Sequence, residues 1–121
     1  MAIHTIVIVD DSATERYYLS EMLVRAGYAV LTAQDGADAL AQLKQARPDL
    51  ILMDVVMPGA NGFQITRAIA RDPELQDVPV IICSSKSQET DRIWGLRQGA
   101  RDYLVKPVVE AELLAKIAAI S

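Results

Sequence analysis

A chain of 121 residues fits one domain around one core, and at this length it can fold without disulfides or a structural metal. Apolar residues at 51% and charged residues at 23% exclude a disordered or collagen-like chain, and a net charge of −4 withholds the positive footprint that direct nucleic-acid binding usually needs. One cysteine, Cys83, and one histidine, His4, exclude an internal disulfide and a cysteine-based zinc site, and leave almost no room for histidine-centred catalysis.

The N-terminus has no basic leader or small-residue cleavage site, and no apolar run nears the roughly 20 residues of a membrane span, so a soluble, cytoplasmic protein is expected. Residues 3–9 are apolar and β-branched and predict a buried strand. Beyond them Leu19, Met22, Leu23 and Ala26 recur at i, i+3, i+4 and i+7, the stripe of an amphipathic helix. Ser12 and Glu15 stand at capping-box spacing before it, and Gly27 follows its end. Ala29–Ala33 predicts a second strand, and Asp35-Gly36 opens a helix to about Ala46. Pro48-Asp49 breaks that helix ahead of a third strand, residues 50–53. Turn residues across 57–62 predict a loop, and the helix after it turns Ile65, Ala68 and Ile69 inward until Pro73. Residues 79–83 predict a fourth strand.

The fourth helix is expected from about Ser87 to Gln98, capped from within residues 85–88. Ile93, Leu96 and Ala100 recur on its sheet side, while Trp94 groups with Thr90, Asp91 and Gln98 outside. Residues 103–105 form a brief fifth strand, and Leu113, Leu114, Ile117 and Ile120 mark the last helix. No repeat or linker interrupts the series, so residues 1–121 read as one domain. Five strands alternating with five helices predict an α/β fold, a doubly wound parallel sheet. Right-handed crossovers favour the flavodoxin-like (βα)5 order 2-1-3-4-5.

In such a sheet ligands bind where the strands end. Strand 1 runs into Asp10-Asp11, strand 3 into Asp54, strand 4 into Ser84 and strand 5 into Lys106-Pro107. Three carboxylates in one cleft repel one another and call for protonation or a cation. An all-oxygen site open to water on one side suits Mg²⁺. A metal and an ammonium facing a carboxylate and a hydroxyl make a cradle for a phosphoryl group, with Asp54 as its acceptor.

The acidic pair, Asp54 followed by Met57-Pro58, Ser84 and Lys106-Pro107 together resemble the receiver domain of bacterial two-component response regulators. The stretch from Ser87 to Tyr103 further resembles stand-alone regulators of the type IV pilus chemosensory system, the PilG/PilH kind that serves twitching motility. The resemblance implies a single receiver that takes a phosphoryl group from a histidine kinase onto Asp54. It implies Mg²⁺ held by Asp11, Asp54 and the Val56 carbonyl, with Asp10 acting through water. Ser84 matches the switch hydroxyl, Lys106 the lysine that binds the phosphoryl oxygens before a cis peptide to Pro107, and Tyr103 the aromatic that follows the hydroxyl. Ser84 stands where threonine is commoner, and Val56 and Lys86 occupy the positions that tune phosphate lifetime. Output is expected through the surface of the fourth helix, fifth strand and last helix. Trp94 and Tyr103 are its candidate partner residues, with neither nucleic-acid contact nor membrane insertion.

Taken singly, these residues have plainer readings: an aspartate pair as a helix cap, Asp54 as a turn residue, Lys106 as a solvated lysine. Their convergence on one sheet edge is what favours chemistry. Cys83 and His4 are expected to have no role, Met53 and Met57 to pack, and Tyr17 and Tyr18 to divide between core and surface. The rival function is a Mg²⁺-dependent phosphatase of the haloacid-dehalogenase type. That enzyme needs a second aspartate two residues past the nucleophile, where this chain has Val56. A flavodoxin-like cofactor carrier would need a hydroxyl- or glycine-rich phosphate loop where Asp10-Asp11 stands.

Overall fold

The period-two alternation of the strands sorts their side chains onto two sheet faces, and each face finds its own helices. The structure, a computed structural model describing residues 2–121, contains β1 (Thr5–Val9), α1 (Ala13–Arg25), β2 (Ala29–Ala33), α2 (Gly36–Ala46) and β3 (Leu50–Met53). These are followed by α3 (Gly62–Arg71), β4 (Val80–Ser84), α4 (Glu89–Arg97), β5 (Asp102–Val105) and α5 (Glu110–Ile120). All pairings are parallel, in the expected order β2-β1-β3-β4-β5.

Ile6, Ile8, Leu50, Leu52, Ile81 and Leu104 face α1 and α5, where Leu19, Leu23, Leu113 and Ile117 close the layer. Val7, Val9, Ile51, Met53 and Ile82 face the other way and pack with Leu43, Ile65 and Ile69 of α2 and α3. Met53, Met57 and Cys83 pack as expected. Among the described residues no helix is long and apolar enough to cross a membrane.

Several local expectations give way. β1 begins at Thr5, not at residue 3, because the N–H groups of His4 and Thr5 are taken by the Asp49 carboxylate at 2.9 and 3.0 Å. Ser12 caps α1, accepting from the Glu15 N–H at 3.3 Å, but Ala26 ends that helix exposed. Tyr17 and Tyr18 are both exposed, Tyr18 donating its hydroxyl to the Val108 carbonyl at 2.9 Å. In α3 Ala68 faces solvent, and Thr66 takes the inner place by donating its hydroxyl to the Gly62 carbonyl at 2.7 Å.

The largest departure is α4. It starts at Glu89, with the Gln88 N–H donating to the Asp91 carboxylate at 3.2 Å. Its buried side carries Gly95, and just past its end Gln98 and, as expected, Ala100 are buried, while Ile93 is 42% exposed and Leu96 half-buried. A Cβ at Gly95 would stand 2.8 Å from Ile82 Cδ1 and 3.3 Å from the Tyr103 ring. Close backbone approach at a glycine thus sets the rotation of this helix, overriding its apolar stripe. Trp94 is outside as expected, but Asp91 is half-buried and Gln98 buried.

Candidate functional site

The parallel ladder continues one residue past each of two central strands. The Asp10 N–H donates to the Ala33 carbonyl at 3.0 Å and the Asp54 N–H to the Val9 carbonyl at 2.9 Å. Backbone bonding therefore fixes both aspartates at the carboxyl edge of neighbouring strands. The loop after Asp54 is held by α3: the Gly62 N–H donates to the Val55 carbonyl at 2.8 Å, and a Cβ at Gly62 would collide with the Asp54 carbonyl. Only glycine lets this helix start so close to the strand end.

Asp10 is buried and fully engaged. One carboxylate oxygen accepts from the Ser12 N–H at 2.9 Å, the other from Lys106 Nζ at 2.8 Å, and its carbonyl accepts from Arg16 at 2.8 Å. Lys106 Nζ also donates to Asp54 at 3.1 Å. Its backbone N–H donates to the Ser84 carbonyl at 2.8 Å, and its peptide to Pro107 is cis, as the resemblance implies. Asp11 is exposed, yet Asp10, Asp11 and Asp54 each offer a carboxylate oxygen within 4.8 Å of the others.

The electrostatics follow from this packing. Burial pushes the Asp54 pKa up, the Asp10 charge adds to the rise, and Lys106 only partly offsets it. Burial works against the Lys106 charge, but hydrogen bonds and attraction from Asp10 and Asp54 outweigh it and hold that pKa above its ordinary value. Cys83, in the adjacent layer, is pushed up to about 12 by burial, so its thiol stays protonated and inert.

Ser84, buried at the end of β4, accepts from the Lys86 N–H at 3.1 Å. Tyr103 donates its hydroxyl to the Lys86 carbonyl at 2.7 Å. Both thus hold one short segment beside the pocket. Tyr103 is only 6% exposed, so the expectation that it offers partner surface is corrected: Gly95 lets α4 lie over its ring. Trp94, at 49% exposed, is available. Val56 is 62% exposed at the pocket's rim.

One member of the site escaped the sequence reading. Glu15 Oε2 is buried without a hydrogen-bond partner among the described residues and lies 4.0 Å from Lys106 Nζ. Its spacing from Asp11, one helical turn, was the available signal, but that position was read only as a cap. Hard carboxylate oxygens, one side open and one lysine shared between two carboxylates fit a divalent cation such as Mg²⁺.

Residues 6–118 match the family model described as response regulator receiver domain. Protein PilH of Pseudomonas aeruginosa is 56% identical over 115 residues, 95% of this chain and 95% of that protein. The phosphate regulon transcriptional regulatory protein PhoB of the same organism is 40% identical over 96% of this chain, which spans 51% of that longer protein. Among solved structures, the Vibrio cholerae chemotaxis protein CheY4 is similar at a TM-score of 0.91 and 33% identity, covering 99% of this chain and 100% of that one. The beryllofluoride-activated DrrB receiver domain is similar at 0.86 and 28% identity, covering 99% and 97%. With the strand order and the acidic pocket already established, this chain belongs to the response regulator receiver domain family.

Proposed function

We propose that the protein is a stand-alone, phosphorylation-operated response regulator and not an enzyme acting on an outside substrate. The observation that carries this reading is Lys106, whose single ammonium bridges Asp10 and Asp54 at the mouth of the three-aspartate pocket. Asp54 receives a phosphoryl group from a histidine kinase: a carboxylate oxygen forms the new O–P bond as the N–P bond breaks, and the electron pair leaves on the imidazole nitrogen. Lys106 lies where it can neutralise the incoming oxygens without reorganisation. Asp11, Asp54 and the Val56 carbonyl, with Asp10 through water, would hold Mg²⁺. Bound there, the ion supplies further positive charge against the phosphoryl oxygens.

The switch then runs through the segment that Ser84 and Tyr103 share at Lys86. Ser84 turns to the phosphoryl group, gives up its bond to Lys86, and lets the already buried Tyr103 ring shift into the space it leaves. The α4-β5-α5 surface, with Trp94 on it, changes its affinity for a downstream protein in the cytoplasm. The near-complete mutual coverage with PilH supports a type IV pilus or related chemotaxis-like setting. The exposed Val56, where the phosphatase reading required a second acid, speaks against that rival.

The test is acetyl phosphate labelling with Mg²⁺ and mapping of the hydroxylamine-labile adduct. Asp54 should be the only site, and Asp11→Ala should weaken Mg²⁺ binding far more than Lys106→Ala. Full labelling of Asp54→Asn would overturn the reading.

A further inference from the structure

We infer that Glu15 is a positioning residue: on the reading that Asp11 and Asp54 hold a divalent cation, it is the carboxylate to which the Lys106 ammonium turns when that cation claims Asp54. Glu15 Oε2 is the one buried side-chain polar atom without a hydrogen-bond partner among the described residues, and it lies 4.0 Å from Lys106 Nζ. Enclosed carboxylate oxygens are ordinarily satisfied, because an unpaired one carries the full cost of its lost hydration. The side chain as a whole is 31% exposed, so the pocket encloses this one oxygen and leaves the rest of the residue at the surface.

Two plainer roles for a glutamate at this place account for less. An acid in the first turn of α1 complements the helix dipole, but that effect asks for no burial. In a capping box the glutamate three residues past the cap accepts from the N–H of the cap residue. Here the Ser12 N–H donates to Asp10 at 2.9 Å, so Asp10 has taken that place and Glu15 is released from it. Arg16 sends its guanidinium to the Asp10 carbonyl at 2.8 Å and makes no ion pair with Glu15. Among the described residues Lys106 is the one cation within 4.0 Å of the Glu15 carboxylate.

Lys106 is incomplete in the matching way. An ammonium has three N–H donors; Asp10 takes one at 2.8 Å, Asp54 another at 3.1 Å, and no described residue takes the third. Asp10, Asp11 and Asp54 offer oxygens within 4.8 Å of one another, a group that Glu15 does not join, so Glu15 acts on the ammonium and not as a ligand. A dication on Asp54 repels an ammonium bonded to the same carboxylate. With the bond to Asp10 as its pivot, Nζ leaves Asp54 and closes the 4.0 Å to Glu15 to the roughly 2.8 Å of a charge-assisted hydrogen bond. The cation gains Asp54, and the ammonium keeps two counter-charges. Without the Glu15 charge, Lys106 has only Asp54 to return to and competes with the cation for it.

The experiment is calorimetric titration of Mg²⁺ into the full chain, with the Lys106 ¹⁵Nζ resonance followed in lysine-labelled protein and assigned by its loss in Lys106→Met. Glu15→Gln should bind Mg²⁺ about fivefold more weakly than the parent. Glu15→Asp keeps the charge but stops one methylene short of Lys106, and should remain about threefold weaker. Saturating Mg²⁺ should move the Lys106 signal in the parent and much less in Glu15→Gln. Equal Mg²⁺ affinity in parent and Glu15→Gln, parental affinity in Glu15→Asp, or equal movement of the Lys106 signal in parent and Glu15→Gln would each overturn the proposal and leave the cation reading standing. Absence of Mg²⁺ binding by the parent would overturn both.

Discussion

Asp49 and Asp54 flank β3, one just before Leu50 and the other just after Met53, and the fold handles the two carboxylates in opposite ways. Asp49 accepts the N–H groups of His4 and Thr5, so its pKa is held below the ordinary 3.8, chiefly by those two bonds. Asp54 is buried beside Asp10, and its pKa is raised by that burial in spite of Lys106. The first carboxylate ties the start of β1 to the start of β3 and stabilises the fold. The second is buried against the preference of its charged form, a cost that candidate functional carboxylates commonly carry. One strand thus has a structural end and a chemical end, and residue type alone does not tell them apart.

The sharpest way to stress the chemical end is to remove its cation. Lys106→Met leaves Asp10 and Asp54 buried without a counter-charge, which should cost about 3 kcal/mol in denaturant unfolding at pH 7 in EDTA. A double variant, Lys106→Met with Asp54→Asn, should recover part of that loss, because one of the stranded charges is gone. Equal stability of the single and double variants would mean that Asp10 alone sets the demand for the lysine.

The contrast between the two ends also shows what the sequence made legible. The strands and the edge that gathers Asp10, Asp54, Ser84 and Lys106 follow from apolar runs and the residues just after them, while the strand order comes from analogy with flavodoxin-like sheets. What escaped depended on distances between elements. The tie from Asp49 to His4 and Thr5 crosses 45 and 44 positions of chain and leaves no periodic trace. Glu15 enters the pocket through the rotation of α1. In α4 the stripe of Ile93, Leu96 and Ala100 holds at Ala100, but Gly95 settles onto Ile82 and Tyr103 and turns the helix, burying Gln98 and exposing Ile93. Hydropathy marks faces; it does not register where a missing side chain lets a helix backbone settle onto neighbouring side chains.

At the structural end the expected effect is smaller and depends on pH. Asp49→Asn keeps the shape but loses the charge that the two N–H donors favour, and should cost about 1 kcal/mol at pH 7. A depressed folded pKa stabilises fully above the unfolded value near 3.8 and loses that contribution as pH falls through the folded pKa. The gap between parent and variant should therefore hold from neutral pH down to about 5, then close through the acid range. A gap that stays constant to pH 3 would show that the charge of Asp49 carries none of the stabilisation.

The smallest effect has the opposite sign and returns to Asp54. A raised folded pKa means that the carboxylate binds protons more readily in the folded chain than in the unfolded one, so its charge at neutral pH opposes folding. Asp54→Asn removes that charge and should stabilise the protein in EDTA by less than about 1 kcal/mol, since the bond to Lys106 is weakened with it. Adding Mg²⁺ should then separate the two proteins in the other direction. Under the proposed ligand set the parent should gain stability from a cation that binds its folded state, while the variant, lacking the Asp54 carboxylate, should gain less. Thermal melts of both proteins with EDTA and with saturating Mg²⁺ measure the full square. A variant less stable than the parent in EDTA would show that Lys106 repays the whole cost of burying Asp54, and that both ends of β3 are structural until the cation arrives.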